Sequence, residues 1–284
     1  MIMTLIRGKN RKSIMSFVIA LLLLFFCLIW IYPFLWMISA SMKTSSELFR
    51  KGLSLIPDRI SFDSYYNAWV KGGFSRYFFN SVITTVGSIA VVLLRCSTCG
   101  YVLSMYQFKG NRLYLMVLLA TYFIPNGTTI IPVAQISTQL GLMGTRAGVV
   151  LALSGGGQVT AILLYKGFFD QTPRSLYEAA IIDGASFVKT FFSIMLPMTG
   201  PVTATVTILT FMTSWNNLLV PLVFTMGNPA IKTLPVGMMA FSGAYATDWA
   251  GMAAAGTMTL IPIVVCYICL QKYFVSGIAG AVKG

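Results

Sequence analysis

From Ser13 to Met42 the chain carries no charged residue. About 20 predominantly apolar residues suffice to cross the roughly 30 Å hydrocarbon core of a bilayer. Backbone N–H and C=O groups inside lipid must be paired, so a lone run of this kind coils into a helix. Arg7, Lys9, Arg11 and Lys12 stand just before it, as in a secretory signal. A signal's apolar region is about 7 to 15 residues long and this run is roughly twice that, so it is expected to stay as an anchor.

Further apolar blocks follow at 78–106, interrupted by Arg95, and at 113–135, 147–168, 199–225 and 250–271. The sequence thus predicts an all-α membrane protein of six transmembrane helices. The first lies at 14–42, a core unit of five lies at 78–275, and polar tails occupy 1–13 and 276–284. Only 10% of residues are charged and 57% are hydrophobic, against roughly 25% charged in an ordinary soluble domain. The formal charge of +13 does not point to nucleic acid, because the 20 basic residues are scattered through short inter-block segments instead of clustering among aromatics. They read as topology signals. With the N-terminus inside, eleven fall inside and eight outside, Arg95 left uncounted, and the basic flank of the first span sets the orientation. Both termini are then expected in the cytoplasm.

The longest outside segment, 43–77, contains "SFDSYYNAW", a short surface helix capped near Asp63. Histidine is absent, and the pairs Cys96/Cys99 and Cys266/Cys269 sit inside apolar runs beside a single Cys27. Zinc needs four ligands converging tetrahedrally with polar support, so these thiols read as packing residues and no metal is expected. Three blocks hold breakers: "IPNGTTIIP", "SGGGQ" and "SWNNLLVP". Such pieces either line a water-filled cavity or hydrogen-bond across a packed bundle, and both readings stay open here. "GMAAAG", 251–256, is small-residue material that lets another helix approach.

"EAAIIDGASFVKTFFSIMLP", 178–197, is polar and lies between apolar blocks four and five, on the cytoplasmic side in this topology. Ser175 and Glu178 have the spacing of a capping box that starts a helix. That helix is expected to run to about Asp183, with Gly184 supplying the left-handed end, after which Ser186 caps a second helix reaching Leu196 before Pro197. Ala179 and Ala180 keep one face shallow while Leu176 and Ile182 make it apolar. Glu178 and Asp183 suit a protein-docking helix better than one lying in lipid headgroups, which would want a basic face.

At these residues the chain resembles a known family. Glu178, Ala179, Ala180, Gly184, Ile194, Leu196 and Pro197 stand at the spacing of the EAA loop of binding-protein-dependent ABC transporter permeases. "SWNNLLVPLVF", "TLPVGMMAFSGAYATDW" and "FVSGIAGAVKG" look like the maltose-type carbohydrate branch, and the resemblance runs from about residue 14 to the end. It implies a permease subunit of an ATP-driven sugar importer in a bacterial or archaeal cytoplasmic membrane. Its implied partners are a second permease chain, two ATPase subunits and an external solute-binding protein. Glu178, Ala179, Ala180, Asp183 and Gly184 would form the coupling helix seated in an ATPase groove. No G-x-x-x-x-G-K-[ST] phosphate loop occurs in the chain, so no cofactor is expected on it, and ATP and Mg belong to the partner ATPase. The loop 233–249 resembles the external loop that meets the binding protein.

An ion-coupled secondary sugar carrier is the rival from another class. Proton coupling needs titratable groups at membrane depth, whereas Glu47, Asp58, Asp63, Asp170, Glu178, Asp183 and Asp248 all fall in loops or at span ends. A membrane enzyme would need an acid pair, a metal cluster or a Ser/His/Asp set, and none is present. For the sugar path the candidates are Trp215, Asn216 and Asn217, because indole faces stack on sugar rings and carboxamides both donate to and accept from hydroxyls. Packing accounts for the trio nearly as well. Arg95 departs from the small or apolar residue usual in the family and joins the substrate-path candidates. Backbone carbonyls, the second permease chain, cavity water, an acidic sugar or headgroups reached by a tilted helix are its open partners.

Overall fold

The computed structural model describes residues 2–125, 127–156, 158–242 and 247–281, with side chains between Met15 and Gln271. It comprises two compact units, one of residues 1–72 with 241–258, the other of residues 73–240 with 259–284. Among the described residues there is no strand, only an isolated bridge between Ser242 and Thr247.

In the first unit, helix α1 (Ile2–Ala40) is followed by α2 (Ser45–Lys51) and α3 (Asp63–Tyr66), the last running on as a π turn, Asn67–Lys71. α1 takes in the expected polar tail, since nothing before Pro33 removes a helical N–H. Side chains from Met15 to Trp30 stay exposed. At its C-terminal end a strap, residues 52–55, is held by four successive carbonyls. Gly52 accepts from Trp36 Nε1 (3.1 Å) and Leu55 from Ser39 Oγ (2.6 Å), while Leu53 and Ser54 accept from Tyr32 OH and Lys43 Nζ. Lys43, only 2% exposed, is buried with its ammonium donating to that carbonyl.

Thr44 caps α2 by accepting from Glu47 N at 3.3 Å. The Glu47 carboxylate accepts from Asp58 N (2.6 Å), and Lys51 pairs with both acids. The hydrogen bond from Lys51 holds the Asp58 carboxyl below its ordinary range, with Coulombic help from Lys51 and Arg50. α3 does begin at Asp63, but the cap differs from expectation: Asp63 N donates to Ser61 Oγ at 3.1 Å, and that hydroxyl donates to Asp63 Oδ2 at 2.7 Å. The aspartate is thus oriented by the serine two residues back. In "GMAAAG" a Cβ on Gly256 would stand 2.9 Å from Met37 Sδ, so the small residue lets α1 approach.

The second unit is arranged around α4 (Phe74–Met105). Next come α5 (Asn111–Ala120), α6 (Ile130–Gln139), α7 (Arg146–Gly155), α8 (Val159–Gln171) and α9 (Arg174–Ile182). α10 (Phe187–Thr190) continues through a π turn, Phe191–Met195, into α11 (Leu196–Met198). α12 (Gly200–Trp215), α13 (Leu219–Thr225), α14 (Leu234–Met238) and α15 (Trp249–Ala281) complete the order, α15 entering this unit at Thr259. α15 carries helix through most of the expected terminal tail; residues 282–284 lie outside the described ones.

α4 packs against α7, α8, α12 and α14. Glycine sets the closeness: a Cβ on Gly100 would sit 2.7 Å from Tyr165 Cβ and 2.8 Å from Lys166 N, and one on Gly87 would sit 2.9 Å from Val150 Cγ2. Val92, Cys96, Tyr101, Phe169, Phe191 and Met195 make up much of the buried core around the α4–α8 crossing. Cys96 thus serves in packing, with Cys99 against the same cluster.

Among the described residues three to five spans stand against the six expected. Met15–Ala40, Phe74–Met105 and Trp249–Gln271 are long and apolar enough to cross a membrane, and two bent pairs raise the number to five. Arg146–Gly155 with Val159–Gln171 bends by 61°, and Phe187–Met198 with Gly200–Trp215 by 80°. The block expected at 113–135 is divided into α5, a 3₁₀ turn at Thr121–Phe123 and α6, neither helix being long enough to span. The block at 199–225 stops at Trp215 and resumes at Leu219. In each case breakers uncouple the backbone from the apolar composition; Asn126 and Gly157, within two of these motifs, lie outside the described residues.

Gly100→Val should therefore destabilise the purified chain by about 1–3 kcal/mol through overpacking against α8. Gly167→Ala, where an added Cβ meets nothing within 4 Å, should be neutral or stabilise by about 0.5–1 kcal/mol. Thermal unfolding in detergent compares the two.

Candidate functional site

Of the chemistry-bearing segments, the one at 174–186 has the most defined shape. α9 starts at Arg174 and not through the Ser175–Glu178 box, for no side-chain cap bonds its first turn. Pro173 precedes it, and Leu176 N donates to Pro173 O at 3.2 Å. Proline favours this entry because it has no N–H to leave unsatisfied. The far end follows the expectation. Gly184 has φ +74°, Gly184 N donates to Ile181 O (2.9 Å) and Ala185 N donates to Ala180 O (2.9 Å). These paired bonds are the left-handed glycine closure that consumes a helix's last carbonyls. Ser186 then accepts from Lys189 N at 3.3 Å and starts α10. Pro197 does not stop this run, which continues to Met198 with the proline in the first turn of α11.

One side of α9 is fastened and the other is open. Ala180 is 5% exposed and lies inward, whereas Ala179 is exposed, so the two alanines do not share a face as expected; successive residues on a helix are about 100° apart. Ile182 is 85% exposed, and Leu176, Glu178, Ala179, Asp183 and Gly184 are exposed with it. Among the described residues, neither carboxylate has a side-chain partner.

The fastening is aromatic. The Tyr177 ring lies 5.8 Å from Tyr106 and 6.4 Å from Tyr101, and Phe187 lies 5.5 Å from Tyr101 and 5.6 Å from Tyr106. Thus α9 and α10 are both held to the end of α4. Burial, and then the hydrogen bond to Tyr106, push the Tyr177 phenol up to about 12. Just before α9, Asp170 accepts from Ser104 Oγ at 2.7 Å and pairs with Lys166 at 2.6 Å, tying the end of α8 to the end of α4. No local pattern in the sequence brings Tyr101, Tyr106, Tyr177 and Phe187 together, so this anchor was not foreseen.

The substrate-path candidates fall in two places. Trp215 is 1% exposed, stacked on Phe211 at 5.4 Å and edge-on to Phe78 at 6.0 Å. Its indole N–H has no partner among the described residues. Asn216 Nδ2 donates to Met212 O (3.0 Å) and Asn217 Oδ1 accepts from Val220 N (3.0 Å), so the carboxamides finish α12 and start α13. Arg95 stands apart from them. Its Nη2 donates to Ser154 O at 2.5 Å and its Nη1 to Gly155 O at 3.4 Å. Of the open partners, backbone carbonyl is the one this chain supplies.

A second polar hub, also unforeseen, is Asn80. Its amide donates to Ala230 O and Lys232 O, each at 2.9 Å, and its oxygen accepts from Arg146 Nε at 3.0 Å. It binds the segment ahead of the 233–249 loop to α4 and α7. Residues 243–246 of that loop lie outside the described ones.

A membrane chain of broken helices with a short exposed helix closed by glycine is compatible with an importer permease. The model of the family described as binding-protein-dependent transport system inner membrane component matches residues 96–280, and the chain belongs to that family. It is a multi-pass membrane permease subunit. It is 34% identical over 263 residues, 92% of this chain and 85% of the relative, to the diacetylchitobiose uptake system permease protein of Streptomyces coelicolor. It is 33% identical over 280 residues, 97% of this chain and 99% of the relative, to the arabinooligosaccharides transport system permease protein of Halalkalibacterium halodurans. A chain from the crystal structure of a bacterial ABC transporter involved in the import of the acidic polysaccharide alginate has the same fold, with TM-score 0.77, 24% identity and coverage of 92% of this chain and 97% of that one.

Tyr177 gives a titration test. A phenol with a raised folded value favours its neutral form, so its contribution to stability is complete below the ordinary tyrosine value of about 10. It is lost as pH rises through about 12. Phenolate absorbance should lose its latest-titrating component in Tyr177→Phe, and the alkaline fall in stability should be shallower than in the wild type.

Proposed function

We propose that this chain forms half of the translocation pathway of an ATP-driven carbohydrate importer, with α9 and the Gly184 turn as the surface on which a separate ATPase docks. The observation that carries this reading is the outward face of α9, where Leu176, Ala179 and Ile182 lie exposed beside unpaired Glu178 and Asp183. A short helix, fixed at its base by aromatic rings and open on its other side, suits transmission of force between proteins. Permeases for diacetylchitobiose, arabinooligosaccharides and melibiose, raffinose or stachyose among the relatives support a carbohydrate substrate. ATP and Mg are used by the ATPase subunits, a second permease chain completes the path, and an external binding protein delivers the sugar. Both termini lie in the cytoplasm, which places α9 on the ATPase side.

Within the path, the break after Trp215 is the sugar-facing element. Asn216, exposed at its edge, offers the remaining carboxamide hydrogen-bonding capacity, and Trp215 shapes the break from within the packing. Arg95, bonded to two carbonyls, is left out of sugar contact.

Gly184→Val tests the docking surface. An added Cβ meets nothing within 4 Å inside the chain, so the local penalty is conformational: a β-branched residue at positive φ. The variant should insert and pair with its sister permease, yet recover less ATPase on co-purification and lose sugar-stimulated hydrolysis. Wild-type recovery and turnover would remove α9 from the coupling role. In intact cells, cysteines placed in 43–77 should label from outside and those in 171–190 should not. Uptake driven by an ion gradient without ATP would favour the secondary-carrier reading instead.

A further inference from the structure

Where a helix stops within a membrane, its last carbonyls have no partner in the next turn, and lipid supplies none. α7 stops in this way at Gly155, ahead of the 61° bend into α8. The side chain that meets its end comes from another helix. Arg95 of α4 places one Nη on Ser154 O and the other on Gly155 O, the carbonyls of the last two residues of α7.

The chemistry of the pair is specific. Two successive carbonyls suit a planar guanidinium fork, where an ammonium would act as a single point charge. A cation at a helix C-terminus also faces the negative end of the helix dipole. Arg95 lies about 15 Å of helical rise from Met105, the end of α4, so headgroups are not its ready partners. Around it the groove between α4 and α5 presents Val91, Leu94, Thr98, Cys99 and Tyr114 and no carboxylate. A charge is costly in such a place unless polar groups receive it, and the α7 carbonyls do so.

We propose that Arg95 is a positioning residue of the transport cycle. It pins the end of α7 to α4, so that the bend between α7 and α8 acts as a fixed pivot. α8 ends at Gln171 and α9 begins at Arg174, so a push on α9 acts on the arm beyond that pivot. The proposal rests on α9 as the ATPase-docking surface. With the pin lost, hydrolysis proceeds while less of the motion reaches the pathway.

The test is a series, Arg95→Lys, Arg95→Gln and Arg95→Met, in the complete importer reconstituted with its binding protein. All three should assemble and show wild-type half-saturation by sugar-loaded binding protein. Arg95→Met should lose on the order of tenfold in sugar moved per ATP hydrolysed, a factor worth about 1.4 kcal/mol. Lys and Gln each keep a donor for one carbonyl and should fall between Met and wild type. Wild-type coupling in Arg95→Met would overturn the proposal. So would wild-type coupling in Arg95→Lys, which would assign the role to charge and not to the two-carbonyl fork, or a shifted half-saturation at unchanged maximal coupling, which would assign it to substrate contact. If Arg95→Met fails to insert, the comparison of Lys and Gln with wild type decides. Failure of the docking reading shows separately, as unaltered ATPase recovery in Gly184→Val.

Discussion

The crossing of α4 and α8 at Gly100 is the contact from which the second unit takes its shape. With no Cβ at that position, the backbones of the two helices come within side-chain distance, and Tyr165 closes over the gap. Everything toward α9 inherits this placement: Asp170 is tied to Ser104 and Lys166, and Tyr177 reaches Tyr101 and Tyr106 at the end of the same α4. α9 is therefore positioned by a helix that it never touches along its own outer face. A docking surface needs this arrangement, because a helix free to rock on its base absorbs force instead of passing it on.

Several of the helix breaks are closed by a side-chain amide or guanidinium that takes backbone groups left over, although α7 begins on the Thr145 hydroxyl and α12 begins with no side-chain cap. Arg95 serves the end of α7, Asn216 the end of α12 and Asn217 the start of α13. Asn228 donates to Gly144 O at 3.0 Å, while Gly144 N reaches Phe224 O at 3.1 Å. Interhelical bonding is seen at "SGGGQ", where Arg95 of α4 reaches Ser154 and Gly155, whereas Asn216 and Asn217 of "SWNNLLVP" bond backbone three or four residues away along the chain.

Local chemistry was readable in the sequence where the causes are local. Gly184 as a left-handed helix end and Ser186 as a cap depend only on neighbours, and both stand as expected. Ser175 shows the limit of the same reasoning, since the capping box lost to a proline entry two residues earlier. The apolar blocks gave the class of protein but not the number of unbroken helices. Mean hydropathy does not register whether a glycine or proline inside a block bends the chain by 61° or leaves it straight. Arg95 was legible as an anomaly, and its partner was not, because the end of α7 meets α4 only through a packing that lies 59 residues apart along the chain. Trp215 was read as a surface for sugar or, nearly as well, as packing; it stacks on Phe211, its i−4 neighbour on α12, a contact that helical spacing supplies, and meets Phe78 of α4, which no spacing rule would have supplied.

The strap at 52–55 has a consequence for how this part of the chain can vary. It is gripped by its carbonyls, which every amino acid possesses, so the side chains of Leu53 and Leu55 take no part in the grip, whereas Ser54 Oγ also accepts from Ile56 N at 3.3 Å. The donors Tyr32, Trp36, Ser39 and Lys43 have no such latitude, for each owns one rung of the ladder. Among sister proteins, letters at the C-terminal end of α1 should be kept while those at 53 and 55 wander, and an inserted or deleted residue in the strap should be rarer than a replacement there, since it would shift every rung at once.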